Sequence, residues 1–218
     1  MLVAIAAISA AALWATRQAS SAKKSPGASD VTAPSTSEAI ELNGELEEET
    51  WRGSGRTGAF LSPGTHDPAR PYSDARVMHD ATNLYVGLYA ADQEMKSKSD
   101  AFQLAFIDPR DGSTLLLSIG VDKVVKEKRM VNGQSQAWSS GIKFGIDADG
   151  TLDDPSDEDE EWIIEAAIPL ASLGLEHGRE IRASFARCDT PKGSEERCGS
   201  WGEGPDGGVA GRIVLGGL

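Results

Sequence analysis

The residues best able to do chemistry are acidic. Residues 153–161 read DDPSDEDEE, seven carboxylates in nine positions. Such a run offers hard oxygen ligands of the kind calcium takes. If a metal binds here, Asp153, Asp154 and Asp157 are the ligands to test. The segment is not an EF-hand loop, because Gly150 follows Asp149 directly and neither flank reads as helix. The preferred reading is a solvated connection between two strands, with calcium as the cofactor this run could hold. Acid–base hydrolysis of a glycoside needs two carboxylates facing each other across a pocket. With 34 Asp and Glu in the chain, any pair can be nominated, so none is informative. His66, His79 and His177 share no catalytic spacing, and there is no serine elbow or phosphate loop. No catalytic residue is assigned and no enzyme is expected.

Two cysteines, Cys188 and Cys198, bracket the turn-rich DTPKGSEER. Their spacing fits neither a CxxC redox motif nor a zinc site. In an exported protein such a pair reads as a disulfide; the alternative is two free thiols in a cytoplasmic one. The start of the chain favours export. MLVAIAAISAAALWA is apolar and uncharged, shorter than the roughly 20 residues that span a bilayer, and followed by small residues suited to cleavage. Residues 1–22 are therefore read as a signal peptide or a short anchor that tethers the protein to a membrane. Residues 23–38, rich in Ser, Thr and Pro, read as a linker. The folded part is placed at 39–218, in a periplasmic, cell-surface or secreted protein. A net charge of −13 argues against nucleic acid as a partner.

What must position these residues is a set of strands. ARVMHDATNLYVGLYAAD reads as a hairpin with arms at 75–79 and 84–91. Leu84, Val86 and Leu88 share one face of the second arm, and Tyr85 and Tyr89 the other. AFQLAFIDPRDGSTLLLSIG gives strands at 101–107 and 114–120 around a DPRDG turn. VVKEKRMV, GIKFGID, WIIEAAI, EIRASFARCD and GRIVL supply further strands, and PLASLGL alone suggests a helical turn, ending at Gly174. Regular strands with little helix predict an all-β fold, an antiparallel β-sandwich of immunoglobulin-like or jelly-roll-like type. Glu165 stands in mid-strand. It is expected to face a groove or to pair with Arg187 or Arg182.

Five segments in order carry a family pattern. IELNGELEEETW at 40–51 resembles the opening of family 9 carbohydrate-binding modules. RVMHDATNLYVGLYAAD, DAFQLAFIDP, the block GTLDDPSDEDEEWIIEAAIPLASLGL and the closing SFARCD…SWG…GRIVL are similar to that family's later strands. The resemblance runs from about residue 40 to 215. It implies a non-catalytic domain that binds a polysaccharide or oligosaccharide, with structural calcium in some members. It makes the acidic run the exposed entry to a central strand that begins at Trp162. Sugar-binding members clamp the ring between aromatic residues on two loops. Here those loops, QEMKSKS and GEGPDGGVA, hold none.

Aromatic faces stack on sugar rings and polar side chains bond the hydroxyls. The candidate contacts are Trp138, which lies outside the matched motifs, with Trp201, Arg76, Gln103 and Arg187. Trp51, Trp162 and Trp201 match motif tryptophans that read as core. Two other readings stay open. One is a structural or accessory envelope module that binds no sugar. The other is a haem-binding DOMON-type domain using Met78 or Met130, although Met78 and His79 are adjacent in a strand and so point to opposite faces.

Overall fold

Strict alternation of apolar and polar residues sorts most of the strands into two sheets with one shared core. The structure is a computed structural model. It describes residues 30–217 apart from 66, 177, 191, 192, 194 and 204–207, so the segment read as a signal peptide or anchor lies outside the described residues. The larger sheet contains β1 (Asp30–Ala33), β5 (Ala101–Ile107), β6 (Thr114–Gly120), β7 (Val125–Val131), β8 (Gln134–Gln136), β11 (Glu180–Asp189), β12 (Arg197–Trp201) and β13 (Gly211–Leu215). Its order is β1-β13-β11-β5-β6-β7-β8, with β12 also paired to β11. The smaller sheet is β2 (Gly55–Arg56), β3 (Ser73–His79), β4 (Asn83–Ala91), β10 (Glu161–Pro169) and β9 (Lys143–Asp149), in the order β2-β3-β4-β10-β9. A four-residue helix, α1 (Glu49–Arg52), and a 3-10 turn at Leu170–Leu173 are the only helical elements among the described residues. Gly174, at φ 75°, ends that turn in the left-handed conformation.

The antiparallel sandwich expected from the sequence is therefore present. Strands 101–107, 114–120, 180–189 and 211–215 have the expected bounds. One boundary is corrected. β1 lies inside the stretch read as a linker, and it pairs in parallel with β13 from Asp30↔Arg212 to Ala33↔Leu215. Val31 and Ala33 are buried. Four residues with two apolar positions give too little periodicity to reveal a strand in a Ser- and Pro-rich context.

The core between the sheets is aromatic at both ends. Phe60, Phe102 and Trp162 meet edge to face, with Phe102 and Trp162 centroids 5.0 Å apart. Phe106, Phe185 and Trp201 form a second run. Leu84, Val86 and Leu88 join this core and Tyr85 faces the other way, as the alternation requires.

The opening IELNGELEEETW forms a strap across the outer face of the smaller sheet. Trp51, fully buried, packs there with Met78, Tyr85 and Ala167, and Leu42 and Leu46 pack against them. Glycines clear the path. A Cβ on Gly145 would lie 1.9 Å from the Leu42 carbonyl oxygen, and one on Gly87 would lie 2.5 Å from Leu46 Cδ2. Glu165 fastens the strap. Its Oε2 accepts hydrogen bonds from the backbone N–H groups of Asn43 (3.0 Å) and Gly44 (2.9 Å). Desolvation raises its pKa, and those two amides work against the rise. Glu165 pairs with neither Arg187 nor Arg182, the arginines expected for it: Arg187 donates to Asp92 and Arg182 to the Val209 carbonyl. The strand pairing puts Glu165 on the outer face, whereas Arg187 points into the interior.

Candidate functional site

The outer face of the larger sheet is built unlike an ordinary solvated face. Such faces usually carry long charged residues at alternate positions. Here two rows run straight across four strands. The first is Ala186, Gln103, Ser118, Lys126 and the second is Ser184, Ala105, Leu116, Lys128, each pairing in register from β11 through β5 and β6 to β7. The small side chains of Ser184, Ala186 and Ala105 leave a trough of about 550 Å³, rimmed beyond β11 by Glu203 and Val209. That lies within the roughly 300–1,000 Å³ of small-molecule sites. Gln103, Ser118, Ser184, Lys126 and Lys128 make no side-chain hydrogen bond or ion pair among the described residues, and Gln103 and both lysines are exposed. By contrast Glu203 is engaged, its Oε2 accepting from the Ser200 hydroxyl at 2.6 Å. Unpaired amide, hydroxyl and ammonium groups beside the apolar Leu116, Ala105 and Val209 suit a polyol with one hydrophobic face.

The sequence-nominated residues do not gather in one place. Gln103 lies on the floor of the trough. Arg187 lies in the interior and fastens the two sheets together. Its Nη2 donates to Asp92 Oδ2 (2.7 Å) and Asp189 Oδ1 (3.2 Å), its Nη1 donates to the Ala91 carbonyl (2.7 Å), and it stacks over Trp162. Trp201 is 4% exposed and packs on Phe185. Trp138 is half-buried against the core and does not line the trough. Arg76 is on the smaller sheet, opposite Arg56, where desolvation lowers its pKa. Ser118, Ser184, Ala186 and the two lysines escaped the sequence reading. The available signal was the run of Ala and Ser at outward positions of AFQLAFI and EIRASFARCD.

The nominated metal ligands lie together on the loop that enters β10. Asp153 accepts from the Ser97 backbone N–H and hydroxyl, and Asp154 accepts from those of Ser156. Asp157 is half-buried on the same loop. A cluster of buried carboxylates, Asp92, Asp100 and Asp189, lies elsewhere, with oxygens within 4.8 Å of one another. Burial pushes Asp100 and Asp189 up to about 6. The cation this cluster holds is the Arg187 guanidinium, and Asp100 is committed to the Lys96 N–H and the Ser99 hydroxyl. Asp189 Oδ2 is buried and has no hydrogen-bond partner among the described residues.

The haem reading finds no ligand pair at Met78 and His79. Each ring nitrogen of His79 faces a backbone carbonyl, of Asp80 (2.9 Å) and Gly216 (3.0 Å), and Met78 is buried beneath the strap with Thr50 at its sulfur. The two cysteines form a disulfide, Cys188–Cys198, at directly paired positions of β11 and β12. Among the described residues no helix is long and apolar enough to cross a membrane.

No protein-family model matches the sequence, and a search of curated proteins gives no match. Solved structures do match. A family 9 carbohydrate-binding module from Caldicellulosiruptor kristjanssonii in complex with cellotriose superposes with a TM-score of 0.60 at 13% identity, covering 87% of this chain and 94% of that one. The module from the same organism with glucose gives 0.59 at 13% identity, covering 87% and 96%. A Bacteroides uniformis protein proposed to bind carbohydrate gives 0.61 at 13% identity, covering 86% and 99%. The chain has the β-sandwich fold of family 9 carbohydrate-binding modules.

Proposed function

We propose that this protein is a non-catalytic carbohydrate-binding module of an exported protein, and that its saccharide lies in the trough on the outer face of the larger sheet. The observation that carries this reading is the pair of in-register rows. They place unpartnered Gln103, Ser118 and Ser184 beside Leu116 and Ala105 on rigid strands. Strand-borne side chains hold their positions better than loop-borne ones. The solved neighbours bound to cellotriose and glucose support a sugar as the ligand class. Gln103 would donate and accept at neighbouring hydroxyls, Ser118 and Ser184 would bond them from either side, and Leu116 would meet the C–H face of the ring. The trough has no aromatic wall, so each ring forgoes the stacking that aromatic contacts supply beyond area burial. Export rests on the apolar N-terminus and on the disulfide, which persists in oxidising compartments.

The test is an oligosaccharide array probed with the exported protein, beside two variants. Gln103→Ala should weaken every hit, and Ala186→Trp, which fills the trough, should abolish binding while the fold stays intact. Binding that both variants leave unchanged would refute this site. An absence of any glycan hit would favour a structural or accessory envelope module.

A further inference from the structure

The two rows of the trough both end in a lysine. Lys126 stands opposite Ser118 and Lys128 opposite Leu116, on one face of β7 and two residues apart, roughly 7 Å along the strand. Both are exposed, and neither has a carboxylate partner among the described residues. That is unusual in a chain of net charge −13 with 34 acidic residues available to pair. The acids nearest the trough are otherwise occupied. Glu127, between the lysines, points to the opposite face of the strand and accepts from the Ser140 backbone N–H (3.0 Å) and hydroxyl. Glu203 is held by Ser200. Arg182, on the same face of β11, adds a third positive charge near the Val209 rim, donating to that residue's carbonyl. The trough thus carries more positive than negative charge, Lys126, Lys128 and Arg182 against Glu203, on a molecule of net charge −13.

We infer that the trough takes an anionic saccharide, one whose rings carry carboxylate or sulfate groups that reach Lys126 and Lys128 while the hydroxyls lie over Gln103, Ser118 and Ser184. This rests on the trough being the saccharide site. Two ammonium groups at the ends of parallel rows set the register of such a chain without needing an aromatic wall. Lysine also serves as a guard on open strand edges, and only Arg129–Val131 of β7 is covered by β8. An edge guard would leave ligand preference unaltered, which separates the two roles.

The experiment is titration calorimetry of the exported protein with three probes: cellotriose, trigalacturonate and a sulfated galactan oligomer, each at low and at 300 mM salt. The carboxylate or the sulfate probe, whichever has the matching geometry, should bind about tenfold tighter than cellotriose at low salt, the size expected of two exposed charge pairs. The advantage should shrink at high salt. Lys126→Gln/Lys128→Gln should erase that advantage, so that within the double variant the anionic probes bind no tighter than cellotriose. Equal affinity for all three probes, or a preference that survives the double variant, overturns the inference and leaves the saccharide site standing. Binding to none of the three overturns the site as well.

Discussion

Gly145→Ala tests whether the strap is seated as described. The added Cβ would lie 1.9 Å from the Leu42 carbonyl oxygen and 2.5 Å from its carbonyl carbon. A carbon–oxygen contact relaxes at about 3.3 Å, so the strap must lift by about 1.4 Å. Backbone, not a flexible side chain, is in the way. The hydrogen bonds from Asn43 and Gly44 to Glu165, now 3.0 and 2.9 Å, would then exceed bonding distance. Hydrogen bonds to a charged group are worth roughly 1.5–3 kcal/mol each. Relief of the desolvated carboxylate returns part of that, leaving a loss of about 2–4 kcal/mol. At roughly 2–4 °C per kcal/mol for a domain of this size, the melting temperature should fall by about 4–16 °C. Urea denaturation and calorimetry measure the loss, and tryptophan emission should shift to the red as Trp51 meets water. Gly53→Ala is the control, since its Cβ meets nothing nearer than the Thr50 oxygen at 3.8 Å. A Gly145→Ala protein that melts within 1 °C of the parent would refute the strap.

Asp100 and Asp189 titrate near 6 because burial disfavours their charge. Groups whose folded pKa exceeds the unfolded value near 3.9 add stability at low pH and lose it as pH rises through 6. The urea midpoint should therefore rise from pH 7 to pH 5, and Asp189→Asn should flatten that rise. Trp201→Ala should cost about 3–5 kcal/mol, as for a buried tryptophan, whereas half-buried Trp138→Ala should cost markedly less and leave saccharide binding unchanged. Replacing Asp153, Asp154 and Asp157 together with Asn should leave melting in calcium buffer nearly unchanged, because a bound ion would add about 2.7 kcal/mol at a hundredfold excess over its dissociation constant.

The strands were legible wherever a face alternated over seven residues or more, as in AFQLAFI and EIRASFARCD. β1 and β8 were not, because three or four residues cannot establish a period. Trp51 and Glu165 were legible as motif members, but their meeting under one strap depends on a loop crossing a sheet, which no local pattern encodes. The trough failed for a related reason. Ser184, Gln103 and Ser118 lie on three strands up to 81 positions apart in sequence, and only register puts Gln103 beside Ser118 and Ala186. Arg187 misled because an arginine two residues from an aspartate in a strand reads equally well as a ligand contact or as an interior ion pair. Its facing direction, set by Phe185 beside it, decides for the interior.

The most direct measurement is an amide chemical-shift titration of the protein with trigalacturonate and, separately, cellotriose. A saccharide in the trough should shift the amides of Gln103, Ala105, Ser118, Lys126, Ser184 and Ala186 together and leave the strap unmoved. Shifts confined to a second cavity of about 640 Å³, lined by Arg70, Pro71, Tyr72, Glu158, Asp159 and Glu160, or spread over the strap on the smaller sheet, would contradict that placement.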